Sequence, residues 1–397
     1  MTIKTIVFTW VLLVSLQCSI AQIPKVFLTK GERLAEVKKR IQSGDAEAKS
    51  WLDHLLKESN KDLDRKPLSV IDKKQVPPSG DKHDYMSLAP YFWPDPANPN
   101  GAYIRKDGER NPEIYGINDH KAVDELQKAV KLLSLAYYFS GQEVYAKKAA
   151  QLLRVFFLDT ATKMNPNMKY SQAIKGVNDG RGTGILDTRS FADVVSSVGL
   201  LEGCKSWTSN DKEQLKAWFT EYYDWMINSK GGKDERNAKN NHGIWFDTQM
   251  LSIGLYLGKD DFVKDYLKST LARIDVQQET DGRQPLELVR TTSLGYSTFC
   301  LSAWFTAANL ADKVGVDIWN YQTKDGKGIK KALDWLLPYA LGEKDWTYQQ
   351  IHPYKRGELF PIVLQASAHY KEKKYDAAVE QLKAEKDDYY AEIMFGK

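Results

Sequence analysis

From about Lys30 onward, apolar residues recur at helical spacing. In DHKAVDELQKAVKLLSLAYYFS, Val123, Leu126, Val130 and Leu133 share one helical face; a Ser-Gly-Gln turn follows, and EVYAKKAAQLLRVFFL begins the next helix. The same rhythm of long helix and short turn runs through SFADVVSSVGLLEGC, SNDKEQLKAWFTEYYDWMINS, IWFDTQMLSIGLYL, KDDFVKDYLKSTLARI, STFCLSAWFTAANLADKV, GIKKALDWLLPYA and FPIVLQASAHY. Ser209 and Asn210 stand where an N-cap is expected, with Glu213 as the capping-box partner of Asn210. Period-two patterns are scarce and no composition break divides the chain, so an all-α single domain is predicted. Antiparallel helix pairs repeated about six times give either a superhelical solenoid or a closed or horseshoe-shaped ring. Four long polar interruptions, at 77–113, 165–188, 229–242 and 278–295, favour a ring whose loops gather at one mouth.

The N-terminus changes this picture only at its edge. Residues 1–22 carry Lys4, an apolar run from Ile6 to Leu16 and then Ser19-Ile20-Ala21, the pattern of a secretory signal cleaved after Ala21. The run is too short to span a bilayer. Residues 22–397 are therefore the expected mature domain, periplasmic or exported. Cys18 as a lipidated residue is the alternative, against which the poor lipobox residue Gln17 counts. Cys204 and Cys300 remain, each in an apolar helical segment, and read as free buried thiols rather than staples. A formal charge of +4 does not argue for nucleic acid. Its placement says more: Lys230, Lys233, Arg236 and Lys239 crowd one loop, and Arg181, Arg189, Arg283 and Arg290 lie in others, as a polyanion would require if those loops converge. The six histidines show no HExxH or CxxC spacing, and no phosphate-cradling or dinucleotide motif occurs, so neither a metal nor a cofactor is expected. A monomer is expected.

The chemistry-bearing candidates are few. Asn240, Asn241 and His242 open NNHGIWFDTQM, where helix capping would explain them in isolation. In ELVRTTSLGYSTFC, Arg290 and Tyr296 stand on another polar loop feeding a helix. Together Asn241, His242, Arg290 and Tyr296 offer an amide, an imidazole, a guanidinium and a phenol, with no nucleophile motif and no nominated carboxylate pair. That set suits removal of a proton alpha to a carboxylate, as at C5 of a uronic acid. Asn241 and Arg290 would stabilise the dianion-like aci-carboxylate, His242 or deprotonated Tyr296 would take the proton, and the Tyr296 hydroxyl would protonate the departing O4.

The segments GDKHDYMSLAPYFWPDP, IRKDGERNPE, GRGTGILDTR, KNNHGIWFDTQ, LVRTTSLGY and DWTYQQIHP carry a resemblance to the alginate lyase family of helical polysaccharide lyases, nearest to polysaccharide lyase family 38 and more distantly to family 5. The resemblance spans most of the mature chain. It implies an (α/α) toroid and metal-free β-elimination at the +1 uronate. Asn241 and Arg290 would neutralise the carboxylate. For mannuronate Tyr296 would serve as both base and acid; for guluronate His242 would be the base and Tyr296 the acid. The chain departs from family 5 at Gly243, where that family has serine, and at Phe246-Asp247, where it has small residues.

Further substrate contacts are expected from Tyr85, Tyr91 and Trp93 as stacking faces and from Lys82 and His83 on a lid. Gln172, Asn178 and Arg181 precede glycines that would let backbone approach a ligand. Tyr348 and His352 would line a minus subsite, and Asp187 with Arg189 would form a structural ion pair. The expected partner is an anionic polysaccharide, alginate or a related polyuronate such as glucuronan. Two other classes remain open: a glycoside hydrolase on the same ring, which needs two facing carboxylates, and a non-catalytic glycan-binding protein.

Overall fold

The computed structural model describes residues 23–385 and 388–397, so the expected signal segment with Cys18 and Ala21 lies outside the described residues. The first hairpin is α1 (Gly31–Ser43) and α2 (Ala46–Leu63). The long first interruption carries β1 (Met86–Leu88), β2 (Phe92–Trp93) and β3 (Ile104–Arg105), then α3 (Asp119–Ser140) pairs with α4 (Glu143–Leu153). The second interruption holds β4 (Tyr170–Ala173), and α5 (Phe191–Val198), α6 (Ser209–Asn228) and the short α7 (Lys230–Arg236) follow. Next come α8 (Asn241–Leu257), α9 (Asp260–Gln277), the single turn α10 (Pro285–Leu288) and α11 (Ser293–Asp312). The chain ends with α12 (Ile329–Ala340), α13 (Phe360–Tyr370), α14 (Lys373–Glu385) and α15 (Tyr389–Phe395).

The contacts sort these helices into two layers. An inner series runs α3, α5, α8, α11, α13, each packed on the next, while α4, α6, α9, α12 and α14 lie outside it. The sequence explains the division. Helices α8 and α11 are apolar nearly all round and bury most of their residues, as inner helices must, whereas α9 buries only a stripe that includes Val263, Tyr266, Leu267 and Ile274. The ring closes through α15, which touches α13 on one side and α1 and α2 on the other. There Arg33 donates to the carbonyls of Glu392, Ile393 and Lys397, and the Thr29 hydroxyl donates to the Met394 carbonyl. This is the predicted ring, an (α/α) toroid.

Local signals were displaced in one place. Helix α6 is capped by Thr208, not Ser209 or Asn210. The Thr208 hydroxyl accepts from the Asp211 amide and Asp211 accepts from the Thr208 amide, so Asp211 and not Glu213 completes the box. Cys204 is half-buried and Cys300 buried, and both are free thiols.

The interruptions are folded, not slack. Strand β1 pairs in parallel with β4 and β2 antiparallel with β3, which ties the first loop to the second at the mouth. The first loop is also pinned from beneath. The Lys73 ammonium and the Asp119 carboxylate meet at 2.9 Å with both side chains fully buried, and Lys73 also donates to the carbonyls of Val70, Lys82 and Asp84. Burial pushes the Asp119 carboxyl up to about 6 and pulls Lys73 down, so each ion relies on the other. Removing one partner strands a buried charge. Asp119→Ala is expected to cost roughly 3–5 kcal/mol in denaturant unfolding; a loss below about 1 kcal/mol would show the pair to be dispensable.

Candidate active site

The inner helices α3, α5, α8, α11 and α13 all begin at one cleft of about 1250 Å³, whose walls also take residues from each of the four polar interruptions. What fixes the start of α8 is a buried ion pair. Asp247, on the second turn, receives two hydrogen bonds from Arg273 of α9 (2.7 and 3.0 Å) and one from the Tyr266 hydroxyl (2.8 Å). The same guanidinium donates to the carbonyls of Ala238 (2.9 Å) and Arg236, holding the turn before α8. Gln277 donates to the Asn240 carbonyl at 2.8 Å. This packing explains Gly243: a Cβ there would lie 2.1 Å from the Ala238 carbonyl oxygen and 2.4 Å from Arg273 Nη1. The departures at Gly243 and Asp247 are thus one feature, because the arginine that Asp247 binds occupies the space a side chain at 243 would need.

The three opening residues then diverge. Asn240 is the N-cap, its side-chain oxygen accepting from the His242 amide, and it lines the cleft. His242 also lines the cleft, with Nδ1 2.6 Å from Glu235 Oε1. A carboxylate at that distance fixes Nδ1 as the protonated nitrogen and leaves Nε2 basic; the tautomer is inferred from this partner. Asn241 turns inward. It is fully buried, and its backbone and side-chain N–H groups both donate to Glu287 at 2.7 Å. Its side-chain oxygen is buried without a partner. Burial raises the Glu287 carboxyl, against the pull of these donors. The expectation that Asn241 reaches a substrate carboxylate therefore meets a correction: Asn241 stands behind the wall and braces it.

Arg290 and Tyr296 both line the cleft and lie against each other, the guanidinium carbon 3.6 Å from the ring centre. Asp107, from the turn after β3, receives Arg290 Nε at 3.0 Å and Nη2 at 2.7 Å, and the Thr291 amide at 3.1 Å. Despite its partial burial, these donors hold the Asp107 carboxyl well below the usual carboxylate range. Arg290 Nη1 takes no part in that pair. The Tyr296 hydroxyl donates to the Tyr91 hydroxyl at 2.8 Å. Burial and Tyr91 push the Tyr296 phenol well above its ordinary value, more than Arg290 pulls it down, so it rests protonated.

Of the outer contacts, Tyr91, Gln172 and Arg181 line the cleft. Gln172 is held from every side: its amide nitrogen donates to Asp187 (2.7 Å), its oxygen accepts from Arg181 Nη2 (2.9 Å), and its φ of 46° is left-handed. A non-glycine residue kept there by its hydrogen bonds is the kind of strain that functional sites hold. Arg181 lies over the Phe92 ring at 5.3 Å.

The remaining expected contacts stand elsewhere. Tyr85 has no exposed surface and donates to Asp187 at 3.0 Å, so it is core rather than a stacking face. Trp93 donates to the Glu109 carbonyl and sits under Lys106; Phe92, Tyr115 and Phe299 join Tyr91 and Tyr296 in the cleft wall. Lys82 donates to the Lys73 carbonyl within its own loop, and His83 bonds the Lys163 carbonyl beyond α4. Asn178 accepts from the Ile174 amide in a tight turn. The glycines that follow approach protein, not ligand: a Cβ at Gly180 would meet the Lys169 carbonyl oxygen at 2.2 Å and one at Gly182 that of Gly231 at 2.3 Å. Tyr348 packs on Trp335 and Trp346, and His352 bonds the Gly108 carbonyl. Asp187 takes Tyr85, Ser87 and Gln172 in place of Arg189. Sequence reasoning missed Glu235, Glu287 and Asp107. Only Glu235, seven residues before His242 and across a helix break, left a local signal.

A helical ring with a cationic, aromatic-walled cleft and an imidazole, guanidinium and phenol inside it defines a helical polysaccharide lyase. The sequence comparisons agree: the family model described as Alginate lyase matches residues 69–346. The chain belongs to the alginate lyase family. A crystal structure of an alginate lyase from Bacteroides ovatus is 38% identical, covers 94% of this chain and 100% of its own, and superposes with a TM-score of 0.90. Alginate lyase A1-III from Sphingomonas species A1 is 16% identical, with 96% and 98% of the two chains covered and a TM-score of 0.56. A variant of alginate lyase A1-III complexed with tetrasaccharide gives 14% identity, the same coverage and a TM-score of 0.61. At that distance these two speak for the fold. No curated protein matches the chain significantly.

Gly243→Ser tests the packing that sets α8. Overfilling the contact with Arg273 is expected to cost about 1–3 kcal/mol of stability and to lower turnover by displacing His242. Unchanged melting and turnover would show that the glycine is not required.

Proposed function

We propose that this lyase cleaves alginate by β-elimination, with His242 as base and Tyr296 as acid. One observation carries the division of labour: Glu235 holds His242 Nδ1, leaving Nε2 basic, while the neighbouring Tyr296 rests protonated beside Arg290. In the step, His242 Nε2 takes the C5 proton, the electron pair becomes the C4–C5 double bond, the C4–O4 bond breaks, and O4 takes the Tyr296 proton. Arg290 Nη1 binds the uronate carboxylate as negative charge builds there, and Asp107 keeps the guanidinium aimed. Tyr91 supplies a hydroxyl through which Tyr296 regains a proton. This assignment suits sugars whose C5 proton and O4 lie on opposite faces, as in guluronate. That solved relatives are alginate lyases supports the substrate. A facing carboxylate pair for hydrolysis finds little support, since Glu235, Glu287 and Asp107 are each engaged by His242, Asn241 and Arg290. Among the described residues no helix is long and apolar enough to cross a membrane; we place the processed enzyme, as a monomer, in the periplasm or outside the cell.

Incubation with alginate, glucuronan and pectin should generate the near-ultraviolet absorbance of a 4,5-unsaturated product on alginate; reducing ends without that chromophore would mark a hydrolase, and neither product a binder. Tyr296→Phe should fold normally and lose roughly two to four orders of magnitude in kcat; near-wild-type rates would remove Tyr296 as the acid. Glu235→Gln should lower kcat by about 100-fold or more through the His242 tautomer, with its melting temperature little changed. Retained kcat would leave Glu235 without that part.

A further inference from the structure

A second histidine opens onto the same cleft and takes no part in the chemistry just described. His120 lies on the first turn of α3, half-exposed, with Nδ1 3.2 Å from Asp124 Oδ2 one turn on. Around it, Lys121 lines the cleft from the same helix while it meets Glu125 at 3.7 Å, and Arg189 lines it from the turn before α5. Arg189 spends one nitrogen on the Leu186 carbonyl (3.2 Å) and lies over the Phe299 ring at 5.6 Å, which leaves the rest of its fork free for a ligand. Asp187, the remaining carboxylate near His120, is taken up by Tyr85, Ser87 and Gln172. The wall therefore presents an imidazole, an ammonium and a guanidinium beside an aromatic face, the groups that hold one acidic pyranose.

We propose that His120, braced by Asp124 and flanked by Lys121 and Arg189, is a carboxylate-binding group of a further uronate subsite, separate from the group that holds the reacting sugar. The inference rests on the polyuronate reading above and adds a pH dependence to it. The hydrogen bond and charge of Asp124, aided by Asp187 and opposed by burial and by Arg189, raise the His120 pKa above its ordinary value. The sign follows: the imidazolium, and with it the extra grip on a uronate, is present below that raised pKa and fades as pH climbs through it. Substrate affinity changes and the chemical step does not. Asp124 acts through His120 as a positioning residue.

Binding separates this from the lyase reading. A guluronate tetrasaccharide is titrated calorimetrically into the Tyr296→Phe chain, with and without His120→Gln, at about pH 6 and about pH 8.5. At the lower pH, His120→Gln should weaken binding about five- to tenfold, the scale of one charge-assisted hydrogen bond at a half-exposed site. At the higher pH the two should agree, His120→Arg should hold its affinity at both, and Asp124→Asn should move the loss of affinity to lower pH. In the otherwise wild-type chain, His120→Gln should raise KM and leave kcat unchanged. Equal affinity of the His120→Gln and parent chains at about pH 6, or no binding by either, overturns the subsite. Binding that follows the predicted pattern, with no unsaturated product from the wild-type enzyme, would instead keep the subsite and remove the lyase reading.

Discussion

The Arg273–Asp247 pair decides where His242 stands in the cleft. Asp247 is fully buried, and its partner spans from α9 to the turn before α8, so one guanidinium sets both the helix and the point at which it starts. Gly243 is the steric consequence, and the placing of Asn240, Asn241 and His242 follows from it. Such a pair is a poor source of net stability, because two ions must leave water. It is a strong source of position, since a misplaced helix start would leave the carboxylate unpaired.

Around that start the site is built in two charge layers. The inner helices bring their first turns to the cleft, where the positive ends of the helix dipoles favour an anion. Arg181, Arg189 and Arg290 add to that field at the surface. Behind them lies a carboxylate layer: Glu235 under His242, Glu287 under Asn241, Asp107 beside Arg290. The front attracts a polyanion, while the back keeps the cations and amides from wandering toward it. The Tyr296 phenol, clamped between Arg290 and Tyr91, holds its proton in the resting site.

Much of the architecture was legible because it is periodic. Val123, Leu126, Val130 and Leu133 marked the buried face of α3, and the lengths of the four interruptions foretold a mouth made of loops. His242, Arg290 and Tyr296 were legible because an imidazole, a guanidinium and a phenol on loops feeding helices have a shared chemical use. Their partners were not. Asp107 meets Arg290 across 183 residues and Glu287 meets Asn241 across 46, and no local pattern encodes such pairings. Aromatic loop residues failed for a related reason: in APYFWPDP and its approach, Tyr85 goes to the core, Tyr91 and Phe92 to the cleft, and Trp93 to the loop itself. Only the β1–β4 and β2–β3 pairings decide which way each ring faces. The glycines of 180–184 misled because close approach to a backbone looks the same in sequence whether that backbone is substrate or protein.

The seam at which Thr29 and Arg33 grip residues 392–397 has a bearing on how the chain is made. The clasp joins segments more than 350 residues apart in sequence, so nothing can fasten it until both have been made. Contacts of such separation form late, since the entropy of closing so large a loop must first be met. An emerging chain thus stays an open arc of hairpins, its mouth not yet a cleft. It keeps that pliable form until residues 392–397 reach Arg33 and lock the circle.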